Sequence, residues 1–299
     1  PPLFLCTRAL RGTILDNRAA RPFTLRVSSM SKMLKSSGAM AAATLLSRVL
    51  GLVREMVYAR FLGASAIKGT FDVAYMIPNL FRRMLGEGAL SAAFLPIFKE
   101  REELDGDQAM WHTANAVISG LVVFASLISV VGILGITALL NWADLSTQTS
   151  LMLGLLRIMA PYMMLVCLAA TLMGMLNSRG FFFIPALGAT LLNVVMIAAV
   201  LFFADRFGEL PREQVYVLAW GPLVAGIAQA GFQIPTLYRN GFRYRWVTPW
   251  RNTDVKEVVR RMIPGVVGAA AFQINMLLTQ GVAWFVGAHI VGAFNYSVR

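Results

Sequence analysis

Long apolar runs alternate with short polar connectors along most of the chain. The runs cover residues 38–63, 71–97, 113–140, 151–177, 183–204, 215–238 and 256–286, and an eighth begins near His289. Each has about 20 to 30 residues, enough for a helix rising about 1.5 Å per residue to cross a hydrocarbon core of about 30 Å. The short alternating segments of a membrane barrel do not occur. The pattern therefore predicts an all-α, polytopic transmembrane bundle with about seven complete spans and the start of an eighth.

Composition supports the membrane interpretation and limits the partners. The chain is 57% hydrophobic and 14% charged, with a mean hydropathy of +0.64, whereas soluble domains carry about 25% charged residues. The net charge of +12 suits nucleic acid, anionic lipid head groups or an anionic cargo. Nucleic acid is disfavoured because the basic residues are interleaved with the spans. The few cysteines and histidines lack the spacing of a disulfide framework or a metal site, so we expect no metal or cofactor: Cys6, Cys167, His112 and His289.

The connectors differ in charge, and the difference predicts the orientation. With the N-terminus inside, the cytoplasmic connectors hold most of the loop lysines and arginines, whereas the opposite side holds Lys68, Arg206 and Arg212. Because basic residues collect on the cytoplasmic side of membrane proteins, this bias predicts a cytoplasmic N-terminus.

We divide the chain into four parts. Residues 1–32 form an Arg-rich extension that we expect to be unstructured, either a transit peptide or sequence upstream of a start at Met30 or Met33. Residues 33–238 form an N-terminal lobe of six helices, 239–255 a basic and aromatic cytoplasmic linker, and 256–299 the start of a second lobe. The linker is expected at the inner leaflet, as a plain interfacial segment or a specific lipid-binding patch. Because the chain stops inside the eighth span, we expect it to be a fragment that continues beyond Arg299.

Arginines inside the spans are the most informative residues. Arg48 and Arg54 lie in the first run, and Arg82 and Arg83 lie in the second. Each arginine near a helix centre costs about 2.5–3.5 kcal/mol when it faces lipid. At about 1.5 Å per residue, Arg48, Arg82 and Arg299 reach a similar depth near the bilayer centre. We therefore expect these side chains to face water, a partner or a cargo.

The first two spans contain too few carboxylates to neutralise their arginines. The spacing of Arg83 and Glu87 predicts an ion pair on one helical face. Glu55 shares a face with Arg48 but lies two turns away, and Asp72 stands at the start of the second run. An excess of positive charge remains. Guanidinium groups bind phosphate oxygens through paired hydrogen bonds, so the pattern favours a pyrophosphate ligand.

Several polar residues have simpler explanations. Arg60 and Arg157 are equally well explained as side chains that extend to the membrane interface. The six-residue spacing of Arg48, Arg54 and Arg60 separates them by about 120°, so all three face one cavity only if the helix bends, with Gly51 as the candidate. Three amides of the seventh run either line a cavity or form interhelical hydrogen bonds: Gln273, Asn275 and Gln280.

Two early motifs resemble a known family. The stretch from Ser47 to Glu55, SRVLGLVRE, resembles the opening helix of the MurJ (MviN) lipid II flippase family. The stretch PNLFRR from Pro78, followed by GEGALSAAFLP over residues 86–96, resembles that family's second helix. Weaker similarities follow, and the resemblance runs from about Met33 to Arg299. It implies the fold of the multidrug/oligosaccharidyl-lipid/polysaccharide exporters, in which two six-helix lobes surround a cationic cavity.

The resemblance also implies roles for individual residues. The essential arginines of the family fall here on Arg48, Arg54, Arg82 and Arg299, as binding groups for pyrophosphate. Supporting or gating roles are expected for a second group: Arg83, Glu87, Glu55, Asp72 and Asn79.

Two positions depart from the family pattern. Gly69 stands where the family has an aspartate, and Asp72 is the nearest acid. Val298 stands where the family tends to have an acid before the eighth-helix arginine. The first departure leaves the expected outer gate without its usual carboxylate.

The resemblance implies a flippase, not an enzyme. It would move an undecaprenyl-pyrophosphate-linked peptidoglycan precursor, lipid II, to the outer leaflet of the bacterial cytoplasmic (inner) membrane by alternating access. The expected partners are this precursor and membrane lipids, with a monomeric protein and no nucleic acid. The alternatives are a flippase for another polyprenyl-pyrophosphate-linked glycan and a drug exporter of the same fold. A membrane glycosyltransferase or phosphatase would show clustered acidic motifs, whereas Asp105 and Asp107 are better explained as a turn.

Overall fold

The computed structural model describes residues 24–63 and 65–287, which form helices and connectors without any strand in these ranges. The helices are α1 (Thr24–Leu62), α2 (Ala66–Phe81), α3 (Leu90–Asp105), α4 (Asp107–Trp142), α5 (Thr147–Met159), α6 (Tyr162–Ser178), α7 (Phe183–Phe203), α8 (Pro211–Arg239) and α9 (Thr253–Val286). A π-helical segment, Arg82–Ala89, joins α2 to α3 without a break. Short 3₁₀ turns occupy Ala204–Arg206 and Pro249–Arg251. The predicted all-α bundle is confirmed.

Each predicted run contains a helix or a helix pair, but the bounds differ. Helix α1 begins at Thr24, so residues 24–32 are helical although we expected the whole extension 1–32 to be unstructured. The second run is α2, the π-helical segment and α3. The fourth run is α5 and α6, which meet at an angle of 41°. The eighth run lies outside the described residues.

Only some of the described helices meet a span criterion by length and apolar composition alone. They are α4, the stretch Phe183–Arg206 and α8, and the bent pair α5–α6 makes a fourth if it counts as one span. Helix α1 carries Arg48, Arg54 and Glu55 in its apolar stretch, and α9 carries polar amides such as Gln273. Because of these polar residues, α1 and α9 do not meet the criterion. The number of seven complete spans therefore remains a prediction.

The bend between α5 and α6 has a local cause. Proline has no backbone N–H, so Pro161 cannot donate the next hydrogen bond of a continuing helix. The hydroxyl of Ser129 on α4 donates to the backbone carbonyl of Ala160 at 3.0 Å. The same carbonyl accepts from the N–H of Met163 at 3.3 Å, so the hydroxyl of Ser129 adds a second partner at the break.

Two buried clusters hold the helices together. The first contains an aromatic series in which neighbouring ring centroids are 5.3, 5.7 and 5.5 Å apart: Phe94, Phe98, Trp111 and Phe242. It joins α3, α4 and α6 to the connector after α8. The second joins α1, α2, α5, α7 and α8 around Tyr58, Phe71, Leu155 and Leu218. Apolar side chains therefore occupy most of the interior on both sides of the bundle.

Helix α9 packs against the π-helical segment, α3 and α4. A Cβ on Gly265 would lie 3.2 Å from the Cβ of Ala89, so the two backbones approach closely. Arg101 on α3 donates to Asp254 at 2.7 Å, and the hydroxyl of Thr113 on α4 donates to the same carboxylate at 2.5 Å. One carboxylate at the start of α9 thus holds three helices together.

The connector between α8 and α9 is fixed along α4. Its segment 242–248 has no regular secondary structure. The side-chain amide of Asn115 donates to the carbonyl of Arg243 at 3.0 Å, and the N–H of Val247 donates to the hydroxyl of Ser119 at 3.4 Å. Trp246 and Trp250 are exposed, which agrees with the expected interfacial segment but leaves its contact with lipid a prediction.

Asp254 is held in its charged form. Burial alone would raise its pKa, but hydrogen bonds from Arg101 and Thr113 outweigh burial and lower the pKa below the ordinary 3.8. A carboxyl group with a lowered pKa stabilises the folded state above its ordinary value, and this stabilisation disappears as the pH falls through the folded pKa. The attachment of α9 should therefore persist at neutral pH and weaken only in strong acid.

We predict that Asp254→Asn lowers the stability of the protein by about 1 kcal/mol, because a partly exposed, charge-assisted contact with Arg101 is lost. Thermal unfolding in detergent, followed by tryptophan fluorescence, measures the change. Asp144→Asn is the matched control, since Asp144 is exposed in the connector between α4 and α5. Equal unfolding midpoints for the two variants at neutral pH would contradict the prediction.

Candidate functional site

A cavity of about 680 Å³ lies among α1, α2, the π-helical segment, α6, α7 and α8. One wall comes from α1, α2 and the π-helical segment, and we call it the arginine wall because it carries Arg48, Arg54, Arg82 and Arg83. The rest of the lining, from α6, α7 and α8, is uncharged, and we call it the uncharged wall. It consists of Val166, Ala169, Ala170, Met173, Pro185, Gly188, Leu192, Gln229 and Gln233.

The residues lining the cavity carry a clear excess of positive charge. Four arginines stand against one carboxylate, Glu55, among the described lining residues. Arg48 and Arg83 are exposed, whereas the side chain of Arg54 is only 15% exposed. A charge at this depth keeps its strength because less water screens it. The arrangement is therefore suited to an anion.

Two of the arginines are held in place by neutral or acidic partners. Arg54 donates to Glu55 at 2.7 Å and to the side-chain carbonyl of Asn193 at 3.1 Å. The Nε of Arg82 donates to the side-chain carbonyl of Asn79 at 2.9 Å. A guanidinium group that is fixed in this way loses less conformational entropy when it binds an anion.

The π-helical segment begins at Arg82, where two arginines follow each other. π-helical turns are rare and occur often at functional sites, because they insert a residue into the helical ladder and redirect side chains. Here the segment follows Pro78, which cannot donate a backbone hydrogen bond inside α2. Both Arg82 and Arg83 line the cavity, a geometry for which the sequence offered no direct signal.

Most of the predicted binding residues lie around this one cavity. Those that line it are Arg48, Arg54, Arg82, Arg83, Glu55 and Asn79. Arg299 lies outside the described residues, and so does the side chain of Glu87, so their predicted roles and the predicted pair of Arg83 with Glu87 stay predictions. Arg60 and Arg157 are exposed, outside the cavity.

Two further residues of α1 contribute to the site. Glu55 pairs with its neighbour Arg54, a contact that the sequence did not indicate. Gly51, the candidate bend, lines the cavity within an uninterrupted α1, and a Cβ on it would lie 3.8 Å from the side-chain nitrogen of Asn193.

Asp72 lies beside Lys68, away from the lining. The ammonium group of Lys68 donates to both carboxylate oxygens of Asp72, at 2.5 and 2.6 Å. We predicted Lys68 in an outer connector, but it stands in the first turn of α2 and is 1% exposed. Lys68 and Arg54 both lie near the ring of Tyr58, 6.0 and 5.7 Å from its centroid. The ion pair explains how a lysine is tolerated inside the bundle.

Asn193 on α7 is the main site residue that the sequence did not identify by role. It is 6% exposed. Its amide group donates to the backbone carbonyl of Ser47 on α1 at 3.0 Å, while its carbonyl accepts from Arg54. Asn193 therefore joins two helices and orients an arginine at once. A single amide within the apolar run 183–204 was the signal available for it.

The amides of the seventh run do not form part of the described lining. Asn275 is exposed on α9, and the side chains of Gln273 and Gln280 lie outside the described residues. Among the residues that the structure describes, no cluster of histidine, cysteine, aspartate or glutamate could hold a metal ion. The polar groups that line the cavity are guanidinium and amide groups, the carboxylate of Glu55 and the hydroxyl of Tyr75.

A family model described as "Lipid II flippase MurJ" matches residues 58–299. The chain belongs to the MurJ family. A probable lipid II flippase MurJ from Treponema pallidum is 33% identical over 281 residues, which are 91% of this chain and 52% of that protein. The lipid II flippase MurJ of Burkholderia cenocepacia is 34% identical over 269 residues, 86% of this chain and 51% of that protein. The chain thus spans about half the length of these MurJ relatives.

A solved structure supports the fold assignment. A MOP superfamily transporter from Pyrococcus furiosus superposes with a TM-score of 0.57 at 16% identity, over 83% of this chain and 55% of that one. At this identity the likeness concerns the fold alone. The described part of the chain therefore shares its fold with about half of this transporter, in agreement with the fold that the MurJ motifs implied.

We predict that Asn193→Leu lowers the stability of the protein by about 1–3 kcal/mol, because the partly buried guanidinium group of Arg54 and the carbonyl of Ser47 both lose a hydrogen bond that joins α7 to α1. The thermal unfolding midpoint in detergent measures the loss. Asn141→Leu, at an exposed position near the end of α4, is the control. If Asn193→Leu unfolded at the same temperature as the control, the structural role of Asn193 would be refuted.

Proposed function

We propose that this chain is the N-terminal part of a lipid II flippase, which moves the undecaprenyl-pyrophosphate-linked peptidoglycan precursor from the inner to the outer leaflet by alternating access. The observation that carries the proposal is the cavity in which four arginines and one described carboxylate meet. The relatives from Treponema pallidum and Burkholderia cenocepacia, both named as lipid II flippases, support the same cargo. No chemical bond is made or broken in this function, so no catalytic residue is needed.

The arginine wall suits the pyrophosphate. Guanidinium groups donate paired hydrogen bonds to phosphate oxygens, and charge-assisted bonds of this kind are about twice as strong as neutral ones. Arg54 and Arg82 supply fixed donors, and the exposed Arg48 and Arg83 supply donors nearer to solvent. Binding would therefore replace the hydration shell of the anion with oriented N–H groups.

The size of the cavity suits a head group. A volume of about 680 Å³ falls in the range of about 300–1,000 Å³ that is usual for small-molecule sites. A long polyprenyl tail is apolar and is better placed in lipid. We therefore place the pyrophosphate and its sugar in the cavity and the tail outside it.

Transport requires the binding groups to change partners between two states. We propose that bound pyrophosphate draws Arg299 of the eighth span towards Arg48, Arg54 and Arg82, and that release follows when water enters from the outer side and screens the charges. Asp72 and Lys68 support α2 near its first turn, and Glu55 and Asn79 orient the arginines. Glu87 keeps a predicted gating role.

The protein is proposed to lie in the bacterial cytoplasmic membrane as a monomer with its N-terminus in the cytoplasm. The connector after α8 contributes to the positive-inside bias through its exposed arginines, including Arg245 and Arg251. The same charges are proposed to meet anionic lipid head groups, not nucleic acid. Lipid II and membrane lipids are thus the proposed partners.

A flippase for another polyprenyl-pyrophosphate-linked glycan is the second candidate. The arginine wall favours it equally, because guanidinium groups recognise the pyrophosphate and not the glycan. A drug exporter of the same fold is disfavoured, since four arginines would repel a cationic drug.

We predict that Arg48→Gln, Arg54→Gln and Arg82→Gln, each made in the full-length protein, weaken the binding of undecaprenyl pyrophosphate by about tenfold or more, because each removes charge-assisted hydrogen bonds. Binding to the purified protein and translocation of lipid II in cells lacking another flippase are the two measurements. Arg299→Gln tests the eighth span in the same assays.

Arg157→Gln is the matched control, because Arg157 lies at the end of α5, exposed and outside the cavity. It should bind and transport like the parent. Parental affinity and transport in all of the arginine wall variants would overturn the proposed function.

A further inference from the structure

The uncharged wall of the cavity carries two glutamines whose hydrogen bonds are oriented alike. Gln229 and Gln233 lie one turn apart on α8, and both line the cavity. The amide nitrogen of Gln229 donates to the carbonyl of Gly188 on α7 at 2.8 Å. The amide nitrogen of Gln233 donates to the carbonyls of Ala169 on α6 at 3.2 Å and of Gln229 at 3.0 Å. Both donor groups are therefore engaged with backbone carbonyls of neighbouring helices or of α8 itself.

These contacts use the amide nitrogens and leave the side-chain carbonyl oxygens of both glutamines without a hydrogen bond among the described residues. Gln233 is 2% exposed, and its carbonyl oxygen is buried without a hydrogen-bond partner in the described part of the chain. Gln229 is half-buried, and its carbonyl has no partner within the described ranges either. An unpaired buried acceptor costs about 1–3 kcal/mol, and native structures seldom keep one without a role.

A hydrogen-bond acceptor and an arginine bind different parts of a ligand. A carbonyl oxygen repels phosphate oxygens, which are acceptors too, and attracts the N–H and O–H groups of a neutral ligand. Val166, Met173 and Pro185 lie on the same wall and offer apolar surface for the C–H faces of a ring. The two walls are thus complementary to the two ends of a molecule with an anionic group and a neutral polar group.

We infer that Gln229, whose half-buried side chain lines the cavity, accepts a hydrogen bond from a hydroxyl or amide hydrogen of the neutral sugar attached to the pyrophosphate, and that Gln233, one turn along α8, completes this subsite when its side chain turns its buried carbonyl towards the ligand. The inference rests on the proposed function, because the arginine wall must hold the pyrophosphate for the sugar to reach the glutamines. The subsite gives the cavity a polarity: pyrophosphate towards α1 and the π-helical segment, sugar towards α8.

Two probes separate this subsite from the arginine wall. One is a polyprenyl pyrophosphate, and the other is the same lipid with an attached N-acetylated disaccharide. Binding of each to the purified full-length protein is measured in detergent. The parent should bind the sugar-bearing lipid more tightly, and Gln229→Met should weaken that lipid alone by about three- to tenfold, as expected for one lost hydrogen bond. Gln233→Met should act in the same direction.

Gln214→Met is the matched control. Gln214 lies near the start of α8, outside the cavity, and its amide nitrogen donates to the carbonyl of Gly208 at 3.0 Å, as Gln229 donates to Gly188. The control loses the same kind of bond but should keep the parental preference for the sugar. Equal weakening of both probes by Gln229→Met would make the glutamine a packing residue and would overturn the subsite.

Binding of the two probes to the parent protein also tests the subsite, and this test does not depend on the folding of a variant. Equal affinity of the parent for the two probes would overturn the sugar subsite while leaving the proposed pyrophosphate site intact. Failure of the parent to bind either probe would overturn the proposed function, and the subsite with it. The two failures are therefore distinguishable.

Discussion

The burial of guanidinium groups in an apolar bundle is the constraint on which this structure depends. An arginine that faces lipid near the bilayer centre costs several times the thermal energy. The bundle meets this cost by placing Arg48, Arg54, Arg82 and Arg83 on one wall of a shared cavity. Glu55, Asn79 and Asn193 supply acceptors at hydrogen-bonding distance from two of them. Away from this cavity the buried pair of Lys68 and Asp72 brings a second charge into the interior. The two buried clusters are otherwise made of hydrophobic side chains.

Polar contacts around the cavity also determine which helices are joined. Asn193 links α7 to α1, Gln229 links α8 to α7, and Gln233 links α8 to α6. In lipid, hydrogen bonds between helices are valuable because no water competes for the same groups. The two glutamines that line the cavity, and the asparagine that binds Arg54 beside it, thus also hold these four helices together. Their double role explains why a change at Asn193 should affect stability as well as the orientation of Arg54.

The sequence was sufficient to predict the helices and the importance of the arginines, because both can be recognised from the order of residues along the chain. Apolar runs of span length predicted the bundle, and the cost of Arg48, Arg54 and Arg82 in lipid pointed to one interior site before any contact was known. Choices between competing partners could not be predicted, since they depend on packing between distant segments. Glu55 pairs with Arg54, and Lys68 is buried beside Asp72. The π-helical segment Arg82–Ala89 and the roles of Asn193 and Gln229 likewise arise only when α2, α7 and α8 are assembled.

The placement of the two walls bears on how the cavity could respond to a ligand. The uncharged wall belongs to α6, α7 and α8, which hydrogen bonds connect to one another and to α1. Arg82 and Arg83 belong to the π-helical segment, against which α9 packs closely at Gly265 and Ala89. A ligand that contacts Arg82 or Arg83 as well as the uncharged wall therefore bridges the hydrogen-bonded group of helices and the segment that supports α9. Because a ligand shifts a conformational equilibrium only through contacts that differ between the states, this bridge is the place where binding energy can act on α9. The irregular helical geometry at Arg82 lies at that junction, where a change of helical register would move two guanidinium groups together.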